Sequence, residues 1–183
     1  FWAPGPGTAR ALAQALWPRG VGEDRIDTPP PAAEQFDSEH LWPVVRAQLA
    51  PGRRVLVVRG TSGAAEGDPS GQGRDWLIEQ CRAAGAEVEA CVAYRRERLP
   101  PGESDRERLR AASGAATVWL FSSSEAVQAL QGHWPADARA VALATHPRIA
   151  EAARALGFTR VIRCRPTLAD VGRGLESWAS ASP

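Results

Sequence analysis

A short apolar run, a turn of small polar residues and a helix-period stretch follow one another repeatedly along this chain, and that recurrence narrows its fold more than any other feature. The clearest run is Val55-Leu56-Val57-Val58, bounded by Arg53-Arg54 and Arg59-Gly60. With no polar alternation, it reads as a strand buried on both faces of a parallel sheet. Further strands are expected over Val88–Tyr94, Thr117–Phe121, Ala140–Ala144 and Val161–Ile162, with Phe1–Ala3 as the end of another. Between them lie helical patterns. One follows Gly5-Pro6-Gly7-Thr8 to Leu16, after which Pro29–Pro31 make a connection. A second, from Asp37 to Leu49, repeats Leu41, Val44, Val45 and Leu49 at helical spacing, and a third from Arg74 to Ala84 is stopped by Gly85. Ser104-Asp105-Arg106-Glu107 reads as a capping box. Helices are also expected from Glu125 to Leu130, from Thr145-His146-Pro147 to Gly157, and after Pro166-Thr167 with Asp170 as cap. Alternation of this kind specifies an α/β protein with parallel sheets. The loop Thr61–Gly73, rich in glycine, alanine and acidic residues, is expected to be mobile.

Composition removes several functions. Of 183 residues 44% are hydrophobic, enough for a core, yet no run approaches the ~20 apolar residues that span a bilayer. No secretory signal pattern is present either, so the chain reads as cytoplasmic with no membrane partner. All 22 basic residues are arginine. Without lysine there is no Schiff base and no phosphate-loop lysine. A net charge of +1, with acidic residues interleaved, gives no nucleic-acid footprint. Cys81, Cys91 and Cys164 are widely spaced, form no CxxC pair and read as buried free thiols. No GxGxxG, Walker or GxSxG motif occurs. Neither metal nor organic cofactor is expected. The seven tryptophans read as core and surface anchors.

In parallel α/β folds, ligands collect outside the carboxyl ends of the strands, where backbone amides and helix N-termini favour anions. Four turns occupy that position: Gly5-Pro6-Gly7-Thr8, Arg59-Gly60-Thr61-Ser62-Gly63, Ser122-Ser123-Ser124 and Thr145-His146-Pro147-Arg148. Helix capping and turn chemistry would explain each one singly.

Taken in order, residues 5–12 (Gly-Pro-Gly-Thr-Ala-Arg-Ala-Leu), 54–60 (Arg-Val-Leu-Val-Val-Arg-Gly), 84–88 (Ala-Gly-Ala-Glu-Val), 93–96 (Ala-Tyr-Arg-Arg), 120–127 (Leu-Phe-Ser-Ser-Ser-Glu-Ala-Val) and 146–157 (His-Pro-Arg-Ile-Ala-Glu-Ala-Ala-Arg-Ala-Leu-Gly) resemble the uroporphyrinogen-III synthase family. The resemblance covers nearly the whole chain. It implies two similar flavodoxin-like parallel-sheet domains joined by a two-stranded ribbon, with the active site in the cleft between them. Residues 1–86 would belong to the first domain, lacking its opening half, and 90–183 to most of the second, lacking its N-terminal strand and helix. About 60–80 residues would then precede Phe1, at roughly 30 residues per βαβ unit.

The resemblance further implies a cofactor-free, cyclising hydro-lyase acting on hydroxymethylbilane, monomeric, with transient contact to the preceding pathway enzyme. On this reading Tyr94, the sole tyrosine, assists departure of the substrate hydroxyl; a strand-end anchor is the structural alternative. Gly7, Thr8, Arg59, Gly60, Thr61, Ser122, Ser123, Ser124, Pro147 and Arg148 would hold the substrate's eight carboxylates. Many family members carry a second Gly-Pro-Thr-Thr where this chain has His146-Pro147-Arg148-Ile149, so Arg148 would replace a hydroxyl there by charge pairing. His146 is either an acid or a helix cap. Two other readings stay open: a non-catalytic relative that binds a tetrapyrrole or another polyanion, and an unrelated flavodoxin-like cofactor binder.

Overall fold

β1 (Arg54–Ser62) and β2 (Glu87–Arg96) run parallel, joined through α3 (Gln72–Ala83), as a strand, turn and helix in succession should give. This is a computed structural model, which describes residues 1–62, 72–97 and 101–180. The chain divides into two units, Phe1–Glu97 and Arg98–Pro183. The strands expected at Val55–Val58 and Thr117–Phe121 fall in separate sheets.

In the first unit, α1 (Pro6–Leu16) starts at Gly5 with proline in its first turn, where the missing N–H costs nothing. Ala13 of α1 packs with Ala3 and Ile26 in a small core, and Trp2 bridges to Asp27. α2 (Ser38–Val45) is capped by Asp37, whose carboxylate accepts from the His40 N–H at 2.9 Å. It turns into a short 3-10 segment over Arg46–Gln48, so the expected helix to Leu49 ends in a tighter turn. Leu41 and Val45 are its buried stripe. α3 ends at a left-handed Gly85 with φ +84°, a conformation that favours glycine.

One expectation fails in β1. Val55 and Val57 are half-buried, but Leu56 and Val58 are 60% and 62% exposed. Successive side chains alternate between faces, and only one face of this two-stranded sheet is covered among the described residues. Most of the loop 61–73, over residues 63–71, lies outside them.

The second unit holds β3 (Val118–Phe121), β4 (Val141–Ala144) and β5 (Val161–Arg163) in the order β3-β4-β5, all parallel. β4 is central, and every residue from Val141 to Ala144 is buried, as a continuous apolar run requires. α5 (Ser124–Gln128), α6 (Pro147–Leu156) and α7 (Leu168–Ser180) follow the three strands in turn. Small residues set the packing distance: Ala150 and Ala153 of α6 are fully buried, and Gly174 of α7 lies against Leu143. Aromatic rings fill the rest. Trp134 stacks on Phe158 at 4.3 Å between centroids, and Trp119 stands edge-on to Trp134 at 5.5 Å.

α4 (Glu103–Ala111) corrects the capping expectation. The helix begins two residues earlier than the Ser104 box requires, and the Asp105 carboxylate accepts from the Gly102 N–H at 3.1 Å. Ser104 therefore sits inside the first turn, because Asp105 offers a charged acceptor at the right offset. The thiols also divide: Cys81 is buried and Cys164 half-buried, but Cys91 is exposed on β2. It lies on the sheet's uncovered face, opposite Val58.

Candidate functional site

Tyr94 sits near the carboxyl end of β2, opposite Gly60 of β1. The register slips by one residue between Arg59 and Gly60, so Arg59 faces Val92 while Gly60 faces Tyr94. A bulge of this kind re-aims the side chains beyond it. Here it lays the Tyr94 ring over Gly60: a Cβ on Gly60 would overlap Cε2 and Cζ of the ring and stand 2.9 Å from Cδ2. A side chain at that position would displace the ring. The ring itself is 54% exposed, and Arg96 Nη2 donates to the phenolic oxygen at 2.6 Å.

Arg59, Gly60 and Thr61 thus lie beside Tyr94 on adjacent strands. The Arg59 guanidinium is engaged, with Nη1 donating to the Asp75 carboxylate of α3, while its buried Nε has no partner among the described residues. Gly7 and Thr8 sit exposed in the first turn of α1, and the α1 N-terminus has no side-chain cap. An open depression of about 370 Å³ lies at the opposite, amino-terminal end of β1 and β2, lined by Arg54, Leu56, Glu87 and Glu89 among others. It is remote from Tyr94 along the strands.

In the second unit the turns after β3 and β4 lie side by side because those strands are neighbours. Buried Thr145 ties them together, its N–H and its hydroxyl each donating to the Phe121 carbonyl at 3.2 Å. Ser123 caps α5, accepting from the Ala126 N–H at 3.4 Å, while Ser122 is exposed and Ser124 opens the helix. His146 caps α6: its Nδ1 accepts from the Arg148 N–H at 3.1 Å, which places the ring hydrogen on Nε2. Pro147 occupies the first helical position, and Arg148 is exposed one residue on.

A third turn joins this edge, one whose sequence signals only a helix cap. The Cys164 N–H donates to Ala144 O at 3.0 Å, drawing Cys164, Arg165 and Thr167 toward Thr145. Thr167 and Asp170 cap α7, with the Asp170 N–H donating to Thr167 Oγ1 at 3.1 Å and Thr167 Oγ1 donating to Asp170 Oδ2 at 2.5 Å. The Thr167 hydroxyl above all holds the Asp170 carboxyl below its ordinary value; burial opposes it, and Arg173 and then Arg165 add to the lowering. Burial pushes the Cys164 thiol up, and Asp170 pushes it further. The signal that could have found this turn is the pair Arg163 and Arg165 directly after a short strand.

Among the described residues no three His, Cys, Asp or Glu side chains gather as metal ligands, and no helix is long and apolar enough to cross a membrane.

These features define a protein of two parallel α/β units: in the first, the phenol of Tyr94 lies near the carboxyl end of a strand, and in the second, small polar turns follow the strands, at the end where such folds bind ligands. The family model for uroporphyrinogen-III synthase HemD matches residues 1–171, and the chain belongs to that family. Among solved structures it is similar to a mutant uroporphyrinogen III synthase from the extreme thermophile Thermus thermophilus, at 17% identity and a TM-score of 0.43. That match covers 93% of this chain and 63% of the other.

Proposed function

We propose that this protein converts hydroxymethylbilane to uroporphyrinogen III, closing the linear tetrapyrrole while inverting its last ring. The observation that carries the reading is membership of the uroporphyrinogen-III synthase family over residues 1–171. Tyr94, whose exposed phenol sits at a strand carboxyl end, is compatible with it.

The substrate loses its hydroxymethyl oxygen as water, leaving an azafulvene. The already substituted carbon of ring D attacks it, giving a spiro intermediate. Fragmentation and reclosure then join ring D the other way round, and a proton moves from the newly bonded ring carbon to the azafulvene nitrogen, restoring the pyrroles. Every atom of the product comes from the substrate, so the protein's part is positioning and proton management. Tyr94 donates a hydrogen bond to the departing hydroxyl. Gly7, Thr8, Gly60, Thr61, Ser122, Ser123 and Ser124 offer amides and hydroxyls to the carboxylates, while Arg59 and Arg148 offer charge. Pro147 holds its turn in place. The protein acts as a cytoplasmic monomer without metal or organic cofactor, taking its substrate from the preceding enzyme before unaided closure can occur.

The test is a coupled assay in which fresh hydroxymethylbilane is supplied to the full-length protein and the isomers of the product are separated. Uroporphyrinogen III is expected to dominate. Only the non-inverted isomer, at the uncatalysed rate, would refute the reading. In that event retained binding of a tetrapyrrole would identify a non-catalytic relative.

A further inference from the structure

Tyr94 and Arg96 are two residues apart on β2, so their side chains leave the same face of the sheet. The guanidinium uses that placement twice. Arg96 Nη2 donates to the phenolic oxygen at 2.6 Å, and Arg96 Cζ lies 4.9 Å from the centroid of the Tyr94 ring. The ring is pinned from below as well, since Gly60 on the paired strand leaves no room for even a Cβ beneath it. A half-exposed tyrosine at a strand end would ordinarily sample several rotamers. Here the ring lies over the Gly60 backbone and carries the Arg96 guanidinium against it, two contacts that favour this rotamer.

We infer that Arg96 is a positioning residue for the Tyr94 phenol: it occupies the acceptor side of the oxygen and leaves the O–H hydrogen directed at the substrate's departing hydroxyl. The inference rests on the proposed role of Tyr94. Its chemistry is that of a charge-assisted bond. A phenol both donates and accepts, whereas a guanidinium only donates, so Arg96 fixes which part Tyr94 plays. Electron density drawn from the oxygen by the cation also strengthens the remaining O–H as a donor, through hydrogen-bond cooperativity. Arg96 needs no contact with substrate for this.

Two readouts in the full-length protein test it. Tyrosine labelled with carbon-13 at Cζ gives a Tyr94 resonance, assigned by its loss in Tyr94→Phe. Arg96→Gln should shift that resonance, and Arg96→Lys should restore part of the shift. In kinetics, Arg96→Gln should lower kcat about tenfold with KM within about twofold, because the phenol survives but is misplaced. In a Tyr94→Phe background the same change should have no further effect on kcat. An equal loss of kcat in both backgrounds, or no loss in wild type, would overturn the inference, as would an unmoved resonance. If Tyr94→Phe alone proves neutral while the resonance still moves with Arg96→Gln, the contact is real and the catalytic reading of Tyr94 is what fails, and the positioning role fails with it.

Discussion

Replacing Gly174 with alanine sets two opposing effects against each other. Gly174 lies in α7 and is buried against Leu143, a β4 residue with no exposed surface. A new Cβ would stand 2.7 Å from Leu143 Cδ1 and 3.3 Å from Cδ2, against an ordinary contact of at least 3.4 Å. Both atoms are the end of a side chain, but one enclosed on every side, so the isobutyl group must leave its rotamer or α7 must move off the sheet. Overpacking of this kind costs about 1–3 kcal/mol. Alanine in a helix interior returns about 1 kcal/mol relative to glycine.

Gly172 provides the control, since it lies in the same helix and a Cβ there would meet nothing within 4 Å. Helix propensity is common to both substitutions, so their difference isolates the packing. Gly172→Ala should raise the melting temperature, and Gly174→Ala should fall below Gly172→Ala by about 2 kcal/mol, or about 4–8 °C at this chain length. Thermal unfolding followed by tryptophan fluorescence reads both. Equal melting temperatures for the two variants would show that α7 does not press on Leu143.

Tyr94→Phe removes one oxygen, and turnover should fall by up to about a hundredfold with the inverted isomer still dominant, since hydroxide can leave unaided. A rate within about twofold of wild type would make the phenol a strand-end anchor. The lowered pKa of Asp170 means that its ionised form stabilises the fold above the unfolded aspartate value, and that this stability is lost as pH falls through the lower folded value. Asp170→Asn should therefore flatten the acid limb of a stability-against-pH curve, and an unchanged limb would refute that linkage. Neutral-pH alkylation should modify exposed Cys91 first, while burial holds the Cys81 and Cys164 thiols up and slows them. Peptide mapping that found Cys81 modified first would contradict the packing of α3.

The sequence shows where strands and helices lie more clearly than it shows which faces they bury. Val141–Ala144 and Val55–Val58 are both short apolar runs, yet one is central in a sheet and the other has an uncovered face. Nothing local separates them, because burial depends on neighbours far along the chain. The helix carrying Leu109 was legible, but its start was misplaced because Asp105 and Ser104 are both competent caps and only backbone geometry chooses between them. Of the candidate site, the turns were visible as small polar residues after strands. The Gly60 and Tyr94 pairing was not, since it depends on a one-residue slip in a parallel register. Arg96 was within reach of the sequence, two residues from the only tyrosine, but its partner could equally have been solvent.

The aromatic packing of the second unit has an optical consequence. Trp119 and Trp134 stand 5.5 Å apart at 88° to one another, close enough for their indole transitions to couple rather than absorb independently. Such a coupled pair rotates polarised light in a way that single indoles do not, and the effect weakens as the rings part or lose their fixed mutual orientation. Circular dichroism of this unit should thus contain a signal from the Trp119, Trp134 and Phe158 packing superimposed on that of its helices. The polypeptide carries its own reporter of side-chain order, able to distinguish a packed interior from one that keeps its backbone but has lost its fit.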